Sequence, residues 1–185
     1  MARKGENNLI YVTIDSIFDF SKVKDWKKIN IMASQLACVG EYKSFNEFFK
    51  DRLLTVNPFY DSYYLEELRY RDSLAIVSNL DHKTVENLLS MYNLDSFISR
   101  IITADMVKTF ISRIFFQKLG HGVLITSLQH EGVFAKMNKL KVYFIKRYGE
   151  NLEVADYNVE SLEQIADFMS SHKIDKGLGD SHLRC

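Results

Sequence analysis

The sequence predicts an α/β protein: a parallel sheet of five or six strands with helices on both faces, plus a small helical insertion. Three observations carry this. Short apolar runs alternate with helical patterns after residue 72, the signature of strand–helix units. A separate apolar run near the start, Leu9-Ile10-Tyr11-Val12-Thr13-Ile14, ends in the polar cluster Asp15-Ser16. Between the two, residues 20–70 contain no clear strand and read as helices.

In chain order, residues 9–14 form the first strand. Helices are expected at Ile29 to Cys38, Ser44 to Leu54 and Tyr60 to Arg69. Eight aromatic residues fall between Tyr42 and Tyr64, either as the core of the insertion or as an exposed surface for a partner. Leu74-Ala75-Ile76-Val77 is a strand ending at Ser78-Asn79. Asp81 then caps a helix with Val85, Leu88, Leu89 and Tyr92 on one face. Ile101-Ile102 is a short strand. The next helix carries Phe110, Ile111, Ile114, Phe115 and Leu119 and stops near Gly120. Gly122-Val123-Leu124-Ile125 is a strand, followed by a helix with Val133, Met137 and Leu140 inward. Val142-Tyr143-Phe144-Ile145 is another strand, Val154 to Tyr157 an edge strand, and Leu162 to Met169 a closing helix. The domain organisation expected is a core of 1–19 and 71–171, an insertion of 20–70 and a mobile tail of 172–185.

Composition narrows the function classes. Lys plus Arg balance Asp plus Glu at 24 each, so net charge does not indicate nucleic-acid binding, although a local basic patch stays open. Lys136, Lys139, Lys141, Lys146 and Arg147 supply such a strip, either a solvated surface or a contact for an acidic partner. No apolar run approaches the length of a membrane span, and the polar start lacks a signal-peptide centre. The two cysteines, Cys38 and Cys185, lie far apart, which points to a reducing cytoplasm.

Several of these segments, in order, resemble the haloacid dehalogenase superfamily of phosphohydrolases. Thr13-Ile14-Asp15-Ser16 stands where the family has Asp-x-Asp-Gly, and residues 20–70 stand where it inserts a cap. Leu74 to Asn79 is close to its second motif. Ile101 to Asp105 resembles its next strand, and Val123 to Ser127 with His130-Glu131 its fourth motif. The resemblance implies a Rossmann-like core and a site at the strand ends. It also implies a nucleophilic aspartate, an acid two residues later, a phosphate-holding Ser or Thr and Lys, and Mg²⁺ held by carboxylates.

Against that pattern the sequence departs in several places. Thr13 occupies the nucleophile position, and a neutral hydroxyl with no adjacent base attacks poorly. Asp15 matches the acid, Ser78 with Asn79 the phosphate contact, and Lys108 is the nearest counterpart of the lysine. Thr126-Ser127 replaces Gly-Asp, leaving Asp15 and Glu131 as the carboxylates for a metal, with His130 as a further ligand. Other roles are open to the same residues. Asp15 can cap a turn or pair with a lysine, Ser78 and Asn79 can form a turn, and His130-Glu131 can be a solvated helix start. A register that makes Asp15 the nucleophile places Ile17 at the acid. The expected function is therefore a noncatalytic protein of this fold, binding a protein partner through the aromatic insertion or the strip from Lys136 to Arg147, with no cofactor. The alternative is a divergent Mg²⁺-dependent hydrolase of small phosphorylated substrates.

Overall fold

The computed structural model describes residues 9–36 and 41–177. Cys38, Cys185 and the end of the expected tail lie outside the described residues. The chain opens with β1 (Leu9–Thr13), one helical turn α1 (Ile14–Ile17) and β2 (Phe18–Asp19). The helices α2 (Trp26–Gln35) and α3 (Tyr42–Phe49) follow, then β3 (Asn57–Pro58) and α4 (Leu65–Arg69). From there strands and helices alternate: β4 (Ser73–Ser78), α5 (His82–Met91), β5 (Arg100–Thr103), α6 (Ala104–Val107) and α7 (Arg113–Leu119). The chain continues with β6 (Val123–Thr126), α8 (Gln129–Met137), β7 (Lys141–Ile145), β8 (Tyr157–Val159) and α9 (Leu162–Gly177).

Six strands form one sheet in the order β5-β4-β1-β6-β7-β8, every pairing parallel. Side chains alternate across it as a period of two requires. Ile10, Val12, Leu74, Ile76, Tyr143 and Ile145 join one apolar cluster, whereas Tyr11, Ala75, Val77, Val142 and Phe144 join the other. Both faces are covered, which is why these strands read as continuous apolar runs. Gly122 leads into β6 where a Cβ would meet the Leu9 carbonyl at 2.6 Å.

The insertion shares the core rather than standing apart. Trp26, Phe45, Phe49, Leu53 and Val56 belong to the same cluster as Ile10 and Ile76. A ring network ties it down, with Phe20 and Trp26 stacked at 3.9 Å, Trp26 to Phe49 at 4.9 Å and Phe45 to Phe110 at 5.5 Å between centroids. The aromatic residues divide: Phe45 and Phe49 are buried, while Phe48, Tyr60 and Tyr63 are exposed.

Several details differ from the sequence expectation. The insertion does contain a strand, since β3 pairs antiparallel with β2; two residues are too few to leave a period. The first insertion helix starts at Trp26, three residues early, with Asp25 in the left-handed region before it. Phe110 and Ile111 precede α7, because Ser112 caps that helix by accepting from the Phe115 N–H at 3.4 Å. On α8 the inward face is Glu131, Gly132 and Ala135, while Val133 and Met137 are exposed. Helix and sheet approach closely there, as a Cβ on Gly132 would meet Leu152 Cδ2 at 2.3 Å. The closing helix also runs beyond Met169, so the first residues of the expected tail are helical.

Candidate functional site

In a parallel sheet, the strand neighbouring β1 on each side brings its carboxyl end to the same edge, and ligands of such sheets bind there. Here β1 lies between β4 and β6, so Thr13, Ser78 and Thr126 end side by side. The α1 turn then folds Asp15 back beneath this edge, and the first turn of α8 brings Glu131 in from the other side. Both carboxyls line one pocket with Thr13, Ser78 and Asn79. The structure thus gathers five of the seven candidate residues. It leaves out His130, which does not line the pocket, and Lys108, which is exposed in the left-handed region after α6.

The pocket is closed. Trp26 and Asn30 from α2 and Ile111 from the segment before α7 complete its wall, and no space inside can hold a water. The wall is fastened by side-chain hydrogen bonds. Asn30 donates to the Trp26 carbonyl at 2.8 Å, Asn79 Nδ2 donates to Asn30 Oδ1 at 2.9 Å, and the Ile111 N–H donates to Asn79 Oδ1 at 2.7 Å. Ser78 Oγ accepts from the Leu80 N–H at 3.0 Å, closing its own turn. Thr13 Oγ1 lies 2.8 Å from Ser16 Oγ. The polar groups that would face a phosphoryl group are thereby engaged within the chain.

Asp15 is 1% exposed, and neither of its oxygens has a well-formed hydrogen bond. It neither caps a turn nor pairs with a lysine among the described residues, because the surrounding strand ends and Trp26 exclude both solvent and cations. Burial pushes its carboxyl from 3.8 up to about 6, against a smaller downward pull from the nearby Thr13 and Trp26 polar groups. Glu131 is equally buried rather than solvated at a helix start, accepting from Thr126 Oγ1 at 2.7 Å. Burial raises its carboxyl well above the ordinary range, and the neighbouring Asp15 raises it further. Next to it, both His130 ring nitrogens are buried without a partner. Burial and the charge of Lys27 lower that imidazole to about 4.

Mg²⁺ does not fit these groups. It keeps a near-octahedral oxygen shell and sheds water reluctantly, whereas this pocket offers two carboxyls and no space for a water. Among the described residues no three His, Cys, Asp or Glu side chains converge as a metal site.

Sequence reasoning missed the wall residues and a buried ion pair. Trp26 is the chain's single tryptophan, but nothing local signals that it faces Asp15. Arg147, read as part of a surface strip, instead makes a two-pronged contact with Asp61 at 2.7 and 3.1 Å. It also donates to the Ser16 carbonyl at 2.8 Å. Asp61 accepts from the Leu162 N–H at 2.8 Å as well, so the Asp61–Arg147 pair joins the insertion, the α1 turn and α9. Elsewhere in the strip, Lys136 pairs with Asp156 and Lys146 with Glu160.

No family model and no curated protein matches this sequence. Solved structures do match in three dimensions. A HAD phosphatase from Thermococcus onnurineus superposes with a TM-score of 0.64 at 16% identity, over 88% of this chain and 97% of that one. L-2-haloacid dehalogenase from Xanthobacter autotrophicus gives 0.71 at 14% identity, over 89% and 98%. The magnesium-bound form of Bacillus subtilis YfnB gives 0.69 at 13% identity, over 89% and 99%. Identities this low speak for architecture alone, and with the sheet order and the pocket at the β1 end they agree on it. The chain has the haloacid dehalogenase fold.

Proposed function

We propose that this chain is a noncatalytic protein of the haloacid dehalogenase fold, serving as a protein-binding or scaffold subunit in the cytoplasm. One observation carries the reading: the pocket at the β1 end is sealed by Trp26, Asn30 and Ile111 and has no space for a water, let alone a phosphate ester. Thr13 stands where a nucleophile is needed, and removing a nucleophile costs on the order of 10⁴- to 10⁶-fold in rate. Partner contact falls to the exposed aromatics Phe48, Tyr60 and Tyr63 or to the strip from Lys136 to Arg147. The aromatics are favoured, because Lys136, Lys146 and Arg147 already have carboxylate partners. The compartment rests on the wide spacing of Cys38 and Cys185; among the described residues no helix is long and apolar enough to cross a membrane.

The test is turnover of a phosphomonoester panel by purified protein with and without Mg²⁺. Background rates support the proposal, and Mg²⁺-dependent turnover abolished by Asp15→Asn overturns it. One feature favours a second reading, a divergent hydrolase. A carboxyl brought to about 6 is poised for general acid–base work near neutral pH. That reading requires the Trp26 wall to open, and it predicts that substrate raises solvent exposure of Trp26 in fluorescence quenching by iodide. A pocket used as a sensor for phosphorylated ligands has less support, since Ser78 is engaged and Lys108 lies outside.

A further inference from the structure

The six-stranded sheet has β5 at one edge, bonded to β4 on one side only. Soluble proteins ordinarily cover such an edge or guard it with lysines, prolines or a bulge. Here residues 98–102 are all partly or fully exposed, and Arg100 is the one charge among them. A hollow flanks the edge on each face of the sheet. On the face where Ile102 packs, Arg100, Met106, Val107 and Lys118 surround about 530 Å³, with no carboxylate among the lining residues. Lys118 is anchored there by donating to the Val107 carbonyl at 3.0 Å, and Arg100 has no ion pair among the described residues. On the face where Ile101 packs, a hollow of about 290 Å³ holds Glu86 and Asp95 beside His82. Arg100 and Ile101 border both hollows, and the period of two groups Arg100 with Ile102.

An added strand directs alternate side chains to opposite faces. One set would meet Lys118 on the side Arg100 shares with Ile102, the other Glu86 and Asp95 on the Ile101 side. We propose that the free edge of β5 receives an extended segment of a partner protein whose residues alternate in charge, acidic toward Arg100 and Lys118 and basic toward Glu86 and Asp95. This rests on the reading of the chain as a protein-binding subunit and adds, beside the exposed aromatics, a second contact surface with the chemistry of its partner. Main-chain hydrogen bonds to the edge supply affinity, and the opposed charges fix the register. A second copy of β5 fits less well, since Arg100-Ile101-Ile102-Thr103 brings no acid to the cationic hollow.

The probe is a fluorescein-labelled octapeptide of alternating glutamate and lysine, compared with a peptide of four glutamates followed by four lysines. Composition and net charge are equal, but only the first sorts its charges by face when extended. Fluorescence anisotropy is expected to show saturable binding of the alternating peptide, weaker by about tenfold or more for the block peptide. A similar loss is expected for Arg100→Glu and for Lys118→Glu, and when alternate peptide nitrogens are methylated. Arg100 and Lys118 lie at the surface, and circular dichroism confirms that the variants are folded. Equal binding of the two peptides, undiminished binding to Arg100→Glu, or no saturation to about 1 mM overturns the proposal. So does a dimer in sedimentation that Arg100→Glu dissociates, because a second copy then occupies the edge. Failure here with no Mg²⁺-dependent turnover leaves the noncatalytic reading standing; turnover removes that reading whatever the peptides do.

Discussion

Replacing Asp15 by asparagine should stabilise the protein at neutral pH. Holding a carboxyl at about 6 instead of 3.8 makes its ionised form unfavourable by about 3 kcal/mol, at about 1.4 kcal/mol per tenfold change in proton affinity. The sign follows from proton counting. Between pH 4 and pH 6 the native state holds this proton and the unfolded chain does not, so stability falls as pH rises and stays lower above pH 6. Asparagine removes that loss, while its amide N–H groups need acceptors that the pocket supplies incompletely. A net gain of roughly 1–3 kcal/mol at pH 7.5 is expected, shrinking toward zero near pH 4.

The wild-type pH profile alone would conceal this. Between pH 4 and 6.5 the unfolded chain protonates His130 and the native state does not, because the native imidazole is lowered from 6.5 to about 4. That contribution grows as pH rises, also by about 3 kcal/mol, and opposes the Asp15 contribution. The difference between variant and wild type cancels His130 and leaves the Asp15 carboxyl together with its coupling to Glu131. Urea unfolding followed by the fluorescence of Trp26, the single tryptophan and 4% exposed, measures it at pH 4, 5.5 and 7.5. An Asp15→Asn protein no more stable than wild type at pH 7.5, or a gap that does not shrink toward pH 4, would refute the buried-acid reasoning.

Four other outcomes follow from the same structure. His130→Phe should resist acid better than wild type, gaining up to about 3 kcal/mol at pH 4 with little change at pH 7.5, as read from urea midpoints. Arg147→Met should cost roughly 3–5 kcal/mol because it strands the buried Asp61 carboxylate. Asp61→Leu combined with Arg147→Met should recover part of that loss in a double-mutant cycle. Gly122→Ala should lower stability by roughly 1–3 kcal/mol, since its Cβ meets backbone at 2.6 Å; a thermal midpoint equal to wild type would contradict it.

The sheet was legible because both of its faces are buried. Continuous runs such as Leu74 to Val77 then have one interpretation, and the Asp81 cap, bonded to the Thr84 N–H at 2.8 Å, marks its helix from sequence alone. On α8 the same logic misleads. Close approach to the sheet selects Gly132 and Ala135 for the inward face, so small residues rather than Val133 and Met137 mark it. The gathering of Thr13, Asp15, Ser78, Asn79 and Glu131 was legible from the order of the strand ends. The closure of their pocket was not, because Trp26 and Asn30 on α2 and Ile111 before α7 come from distant segments whose meeting depends on tertiary packing. Arg147 shows the same limit, since a cation in a basic run carries no local sign of the Asp61 it pairs with.

A buried carboxyl that weakens the fold is ordinarily tolerated where chemistry requires it. Asp15 and Glu131 are such a pair, yet the wall around them denies substrate and water a place. Stability and function should therefore separate in this chain. In an enzyme, Asp15→Asn would trade activity for stability. In a scaffold that works through the β5 edge, at the far end of the β5-β4-β1 order, the variant should gain stability and bind the charge-alternating peptide as tightly as wild type. Only the combination of the two measurements distinguishes a retired pocket from a hidden one, since a hidden site would be betrayed by turnover lost as stability is gained.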